Sequence, residues 1–254
     1  MKKTLFAFIL IGIFSFDTFS QQTNDAASRL ERGEDLKVLY RNEASFGVFV
    51  HSAGGIGLAY RRGKQVNVDR KRMMEVELQN FKNSKEVKTV NSYYQSSQGY
   101  VYGKLNSILL LRGGVGFQNI LFQKSEKKNV EIRYSTFLGA TVAFAKPVYL
   151  EIKNSNTLSV PVAQRYDPTI HTQDDIFGRA PFFKGIGGTK LVPAGYAKMA
   201  LSFEYADRYD AIKAIETGIV ADVYPKALDI MAFSKKQNVY LSLYVKMIWG
   251  KKWF

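Results

Sequence analysis

The sequence contains no cysteine and only two histidines among its 254 residues. The absence of cysteine excludes disulfide bonds, thiolate metal sites and cysteine nucleophiles. The two histidines, His51 and His171, are too few to make a metal site a strong expectation. The sequence also has no motif typical of cofactor binding, so we expect neither a cofactor nor a metal.

Long apolar runs are also missing. After residue 20, no segment approaches the roughly 18 consecutive apolar residues that a membrane-spanning helix needs. Residues 1–20 combine Lys2 and Lys3 with an apolar run over 5–16 and small residues before position 21, which is typical of a signal peptide. If the exported chain lies in a membrane, it must therefore cross as strands.

What the sequence does contain is aromatic residues and positive charge. It has 15 tyrosines and 18 phenylalanines, and aromatic side chains favour strands and membrane interfaces. The formal net charge is +14, which raises the question of a nucleic-acid partner. Because the chain carries an export signal and no nucleic-acid-binding motif, we expect no such partner. Outer-membrane lipid and lipopolysaccharide are the expected counter-charges.

The last stretch of the chain, residues 238–254, has the clearest pattern. Apolar side chains occupy every second position from Val239 to Trp249, and the intervening positions are polar apart from Ile248. Side chains of a strand alternate between its two faces. The stretch therefore predicts a long amphipathic strand of the kind that closes a transmembrane β-barrel.

The same alternation predicts eight strands. We place them at 45–51, 56–62, 71–81, 107–122, 130–144, 195–206, 211–224 and 238–254. With the N-terminus in the periplasm, the turns after the second, fourth and sixth strands are short, and most loops on the other side are long. This asymmetry is typical of outer-membrane barrels. The predicted fold class is therefore all-β, an eight-stranded antiparallel transmembrane barrel with a packed lumen. The alternative is a soluble barrel or sandwich with its apolar faces inward; the small residues and opposite charges on the polar faces, and the length of several strands, favour the membrane barrel.

The predicted domain organisation follows from these strands. Residues 1–20 are the signal peptide, 21–42 a periplasmic N-terminal segment, and 43–254 the barrel. Two long external loops, 82–106 and 145–193, interrupt the barrel and are expected to be irregular. The predicted location is the outer membrane.

Three segments resemble a known family. YGKLNSILLLRGGVGFQ at 102–118, KPVYLE at 146–151 and NSKEVK at 83–88 resemble small exported barrel proteins of Bacteroidota. The resemblance extends from about residue 45 to the C-terminus. It implies an outer-membrane β-barrel and supplies no reaction.

The polar faces of the predicted strands carry charges of both signs among small residues. An eight-stranded barrel is just wide enough for side chains to fill its interior. Buried charges need partners, so we predict an ion-pair network in the lumen rather than a channel lining. Its members are Glu75, Glu77, Arg112, Glu131, Arg133, Lys198, Glu204, Glu216, Asp222 and Lys246.

Two candidate sites for chemistry remain open. His51 lies next to Ser52 at the predicted outer end of the first strand, where it is a candidate for a general base; an ordinary rim or lumen histidine is the alternative. His171 lies near Asp174 and Asp175 in the long loop, where metal binding competes with a solvated loop.

Basic residues also cluster at the short periplasmic turns. Arg61, Arg62 and Lys71 lie at the turn ends of predicted strands, where Arg61 shares a face with Gly57 and Ala59. The whole cluster at these turns is Arg61, Arg62, Lys64, Lys71, Lys124, Lys127 and Lys128. They are expected to be either solvated residues near lipid headgroups or a docking surface for an acidic periplasmic partner.

The sequence favours a non-catalytic role as a structural or accessory subunit of a larger outer-membrane protein complex. This prediction is reached by exclusion, because the sequence predicts neither a catalytic set nor a wide pore. The large loops are then the expected contact surfaces. Two alternatives stay open: an enzyme that modifies lipid A or phospholipid through His51, and a small channel or ligand-binding barrel.

Overall fold

The computed structural model describes residues 40–83, 85–93, 98–124, 129–153, 160–206, 208 and 210–254. The predicted signal peptide and all but the last three residues of the predicted N-terminal segment lie outside the described residues.

The described chain forms thirteen strands and one short 3₁₀ helix. The strands are β1 Asn42–His51, β2 Gly55–Gln65, β3 Arg70–Phe81, β4 Lys88–Thr89, β5 Tyr100–Val101, β6 Asn106–Phe122, β7 Glu131–Pro147, β8 Tyr149–Ile152, β9 Val162–Arg165, β10 Ile176–Arg179, β11 Lys190–Glu204, β12 Ala211–Val223 and β13 Val239–Trp253. The helix covers Ile186–Gly188. Among the described residues, no helix is both long and apolar enough to cross a membrane.

Eight of these strands form a closed barrel in the order β1-β13-β12-β11-β7-β6-β3-β2. Every neighbouring pair is antiparallel, and β1 closes the sheet by pairing with both β2 and β13. At one level of this closure, Phe46 lies opposite Tyr60 on one side and Trp249 on the other. The predicted eight-stranded antiparallel barrel is confirmed.

The barrel is apolar outside and polar inside. On β13, Ser242, Tyr244 and Lys246 are buried, whereas the alternating Leu243 and Val245 are 58% and 50% exposed. A soluble barrel would bury the apolar face instead. An outward apolar face is stable only against lipid, because in water it would leave a large hydrophobic surface exposed.

Several barrel strands extend beyond their predicted ends. β2 continues to Gln65, β7 continues to Pro147, and β11 begins at Lys190. The pairing of Lys190 with Ala145 shows the cause: backbone hydrogen bonds continue past the point where hydrophobic alternation fades. β7 ends at Pro147, a residue that lacks the N–H needed to extend a ladder.

The external loops are folded together. β8, β9 and β10 form a three-stranded sheet, and β4 pairs with β5. We call the described residues of 82–105, 148–189 and 224–238 the external cap. The interpretation of 145–193 as an irregular loop was wrong, because short strands such as YLEI at Tyr149–Ile152 are too brief for periodicity to reveal.

Backbone hydrogen bonds join the three segments of the cap. The Leu105 amide donates to the Ile230 carbonyl at 2.9 Å, and the Val148 amide donates to the Leu105 carbonyl at 2.9 Å. The cap also has its own small core of buried side chains: Tyr100, Leu150, Tyr166 and Ile176. The cap is therefore a folded unit rather than a set of independent loops.

Candidate functional site

The middle of the lumen holds a balanced cluster of charged side chains, which we call the central network. Its four cations are Arg61, Arg112, Lys198 and Lys246, and its four anions are Glu75, Glu77, Glu216 and Asp222. All eight residues are at most 4% exposed. Each buried charge has an opposite charge within ion-pair distance, which offsets its desolvation.

Glu75 lies at the centre of this network. Its carboxylate accepts hydrogen bonds from Arg61 Nε at 2.7 Å, from Lys246 Nζ at 3.0 Å, and from Lys198 Nζ. The two lysines also donate to Glu77 Oε1, at 2.7 Å from Lys198 and 2.6 Å from Lys246. Strands from opposite sides of the barrel are thereby tied together through shared carboxylates.

Two paired guanidinium–carboxylate contacts complete the central network. Arg61 donates through Nη1 and Nη2 to the two oxygens of Glu216, at 2.7 and 2.8 Å. Arg112 donates through Nε and Nη2 to Asp222, at 3.0 and 2.5 Å. Such paired contacts are among the strongest polar interactions in proteins. Tyr244 adds a hydroxyl donor to Glu216 at 2.7 Å.

A second cluster, the periplasmic network, lies at the end of the lumen nearest the short turns. Its anions are Glu43, Glu131 and Glu204, and its cations are Lys71, Arg133 and Lys252. Arg133 bridges Glu131 at 2.6 Å and Glu204 at 2.5 Å. This network is also balanced in charge, but Glu131 and Lys252 retain 13% and 12% side-chain exposure.

The ten predicted lumen residues divide between the two networks. Glu131, Arg133 and Glu204 belong to the periplasmic network and the other seven to the central network. The sequence interpretation missed Glu43, Arg61, Lys71 and Lys252. It placed both Arg61 and Lys71 at the ends of predicted strands but grouped them with the periplasmic-turn cations, which was wrong. Arg61 was already predicted to share a face with Gly57 and Ala59 on β2, and that face is the lumen face.

Apolar side chains close the lumen at its external end. Phe81, Ile108, Leu110, Tyr224 and Ile230 belong to one buried cluster there. A cavity at the periplasmic network has a volume of about 10 Å³, room for a single water. The described part of the barrel is therefore filled by its own side chains rather than open to solvent.

His51 faces this apolar closure. Its Nε2 lies 2.9 Å from the carbonyl oxygen of Asn80, and its ring stacks on Phe81 with centroids 6.2 Å apart. The neighbouring Ser52 hydroxyl oxygen instead accepts a hydrogen bond from the Leu243 amide at 3.1 Å. His51 and Ser52 are therefore engaged with separate partners, and neither contact forms a nucleophile–base pair.

His171 stabilises a turn within the cap. Its Nδ1 accepts a hydrogen bond from the Asp167 amide at 3.1 Å. Asp175 accepts from the hydroxyl and amide of Thr172, and these bonds hold the pKa of Asp175 below its ordinary value. Among the described residues, no group of three or more His, Asp or Glu side chains is placed to hold a metal ion.

The outward surface carries a continuous apolar belt. Phe46, Leu58, Val76, Val115 and Leu201 are between 40% and 51% exposed, and each faces away from the lumen. A closed eight-stranded barrel with such a belt, a polar lumen and folded external loops is an outer-membrane β-barrel. The protein is located in the outer membrane.

Solved structures that resemble this barrel share little sequence with it. Ail, the attachment invasion locus protein of Yersinia pestis, solved with the heparin analogue sucrose octasulfate, is 8% identical, with a TM-score of 0.42 over 85% of this chain and 100% of that chain. Neisserial surface protein A is 12% identical, with a TM-score of 0.37 over 84% of this chain and 95% of its own. The N-terminal β-barrel domain of Pseudomonas aeruginosa OprF is 8% identical, with a TM-score of 0.34 over 83% and 99%.

These similarities are too distant to carry a functional argument, and the fold assignment depends on the strand pairing itself. No protein-family model matches the chain, and no curated protein matches it. The resemblance to a Bacteroidota family stays a prediction.

The cap presents apolar side chains to its surroundings. Phe182 is 69% exposed, Phe183 80% and Ile186 49%; we call these three residues the aromatic knob. Phe182 and Phe183 contact each other edge to face at 5.7 Å, and Lys146 Nζ lies 3.9 Å from the centroid of Phe182. The knob therefore has a defined arrangement next to the external ends of β7 and β11.

Proposed function

We propose that the protein is a non-catalytic accessory subunit of a larger outer-membrane protein complex, and that the external cap is its contact surface. The observation that carries this proposal is the aromatic knob, a cluster of exposed phenylalanines on a folded cap. Exposed aromatic side chains are enriched in protein interfaces, where they bury much area at low entropic cost.

The filled lumen supports the same assignment. A channel needs a continuous aqueous path, whereas the two ion networks and the apolar closure occupy the described lumen from end to end. A ligand-binding barrel needs a cavity of several hundred Å³, and the cavity at the periplasmic network is about 10 Å³. The lumen is therefore suited to rigidity rather than to transport.

The conformation of the knob supports a preformed interface. Gly185 adopts a left-handed backbone conformation with φ of +86° between Phe183 and Ile186. A Cβ atom at this position would lie 2.7 Å from the ring of Tyr149, so the turn is both left-handed and closely packed. A preformed surface loses less entropy on binding than a mobile loop.

The test is co-purification from native outer membranes in mild detergent. We expect a tagged wild-type protein to arrive with other envelope proteins in fixed stoichiometry, and the double variant Phe182→Ser/Phe183→Ser to lose them. The matched control is Val66→Ser/Val68→Ser, which removes two exposed apolar side chains at a periplasmic turn (55% and 62% exposed) and should retain the complex.

Two results would overturn the proposal. One is a wild-type protein that purifies alone or with lipid only. The other is a knob variant that retains its protein partners but loses bound lipopolysaccharide, which would assign the knob to the lipid. Heat modifiability on a mild gel establishes that each variant still forms a barrel.

A further inference from the structure

The hairpin of β2 and β3 carries a group of outward-facing cations near its periplasmic turn. Arg62 and Lys64 lie on β2, and Arg70 and Arg72 lie on β3; we call these four exposed residues the rim patch. Lys64 lies directly opposite Arg72 in the strand register. Like charges placed directly opposite each other on a sheet are destabilising.

The described residues that pair with these cations on the neighbouring strands carry no compensating charge. Across β1, Asn42 and Ala44 lie opposite Lys64 and Arg62. Across β6, Phe117 lies opposite Arg72 and Asn119 lies opposite Arg70.

Within the part of the chain that the structure describes, none of the four cations forms a salt bridge. Asp69, the acid in the turn, instead accepts a hydrogen bond from the Gln123 side chain at 2.8 Å.

The depth of the rim patch indicates which anion it meets. Tyr60 and Met74, which are 53% and 61% exposed, lie two residues from Arg62 and Arg72 on the same outward face. Two residues of a strand span about 6.8 Å. The cations therefore begin one step below the apolar belt, at the level of lipid phosphates, and they face sideways toward lipid rather than down into the periplasm.

Arg70 contacts an aromatic side chain at the level of the membrane interface. Its guanidinium carbon lies 4.0 Å from the centroid of the Phe117 ring. Such a contact holds the cation over an aromatic surface at the membrane interface while leaving its N–H groups available to an anion. Four cations of one hairpin can together surround one or two phosphates.

We propose that the rim patch is a binding site for the headgroups of anionic phospholipids in the periplasmic leaflet. The bound phosphate neutralises the cross-strand repulsion between Lys64 and Arg72. The site gives the barrel a preference for anionic over zwitterionic lipid among its neighbours. This inference depends on the position of the belt and is independent of the aromatic knob.

The test uses the full-length barrel in bilayer nanodiscs of zwitterionic lipid containing spin-labelled phosphatidylglycerol or spin-labelled phosphatidylcholine. Electron paramagnetic resonance measures the association of each lipid with the barrel. We expect the anionic lipid to associate about fivefold more strongly with the wild type, the effect of roughly one well-placed basic residue. The preference should fall toward onefold in Arg62→Gln/Lys64→Gln/Arg72→Gln and weaken at high salt.

A charge-matched control separates the site from net charge. Lys184→Gln/Lys226→Gln/Lys235→Gln removes three exposed lysines from the external cap and should keep the wild-type preference. Equal loss in both triple variants would overturn the proposal, as would a wild type without preference.

A further outcome distinguishes a protein partner. If wild type in zwitterionic nanodiscs binds a soluble poly-glutamate peptide while showing no lipid preference, and the rim variant loses the peptide, the patch is a docking surface for an acidic protein and the lipid proposal is wrong.

Discussion

Arg61 and Arg62 are neighbours in the sequence and have opposite environments. Arg61 is 4% exposed and forms ion pairs with Glu75 and Glu216 inside the lumen. Arg62 faces outward and forms no ion pair with any described residue. Lys71 and Arg72 repeat the contrast on β3, since Lys71 pairs with Glu43 inside and Arg72 belongs to the rim patch.

The contrast shows where the net charge of the protein resides. The two lumen networks contain seven cations and seven anions, so together they are neutral. The excess positive charge of the described chain therefore lies outside these two networks. Because side chains alternate along a strand, two neighbouring residues of the same charge face different environments: one faces the packed lumen and the other faces the outer surface of the barrel.

The strongest test of this contrast is a pair of identical substitutions. Arg61→Gln should destabilise the barrel by about 3–5 kcal/mol, because it leaves two buried carboxylates short of their counter-charge. Arg62→Gln should change the free energy of unfolding by less than about 0.5 kcal/mol. Urea unfolding in lipid vesicles, followed by tryptophan fluorescence, measures both; equal effects would contradict the assignment of faces.

The next pair probes the partly wet end of the lumen. Lys71→Gln should cost about 1.5–3 kcal/mol, as expected for losing a hydrogen bond between charged groups. The loss is smaller than for Arg61 because the Lys71 and Glu43 side chains retain 9% and 6% exposure. Arg72→Gln is the control: because it removes the repulsion with Lys64, it should leave the unfolding midpoint unchanged or slightly raised in zwitterionic lipid. A larger loss at Lys71 than at Arg61 would reverse the proposed order of the two networks.

Two adjacent glycines test the same difference between inward and outward positions without changing any charge. A Cβ at the inward Gly114 would lie 2.3 Å from the Tyr196 hydroxyl and 2.7 Å from the Leu138 carbonyl oxygen, whereas a Cβ at the outward Gly113 meets nothing within 4 Å. We expect Gly114→Ala to destabilise by about 1–3 kcal/mol through overpacking. Gly113→Ala should be neutral or slightly stabilising. The same unfolding assay compares them, and a neutral Gly114→Ala would show that the lumen is loosely packed.

The smallest expected effect concerns a polar group buried in the cap. Burial, together with the nearby Tyr102, raises the pKa of Tyr166 to about 12. The folded state therefore holds this proton more tightly than the unfolded chain, whose tyrosines titrate near 10. The associated stability of the cap is fully present below about pH 10 and is lost as the pH rises through about 12. Absorbance at 295 nm should show the late-titrating tyrosine signal reduced by one residue in Tyr166→Phe; an unchanged late signal would place Tyr166 in solvent.

Much of the fold was predictable from periodicity alone. The eight barrel strands were located because an apolar face and a polar face alternate over many residues, as in β3 and β13. The ends of strands were less predictable, since β7 and β11 are extended by pairing rather than by pattern. The small sheet of β8, β9 and β10 was missed, because four-residue strands carry too few alternations to be recognised.

The lumen residues divide in the same way. Seven members of the central network lie on predicted inward faces. Their odd or even position along each strand was sufficient to predict that they face the lumen. Arg61 and Lys71 lie within predicted strands but were left out of the network, because they were grouped with the exposed cations of the neighbouring turn. The two separate networks, and the direct opposition of Lys64 and Arg72, depend on register between strands.

The sequence by itself determined that the chain forms long amphipathic strands, and the small and charged residues on their polar faces favoured a membrane barrel over a soluble one. That the apolar face points outward was decided by the closed structure. Only the tertiary structure decided which charges meet, that the described external loops fold into one cap, and that four cations on one hairpin form no salt bridge with any described residue. The physical reason is that alternation is a local property of one strand, whereas an ion pair or an uncompensated charge depends on several strands brought together by the closure of the barrel.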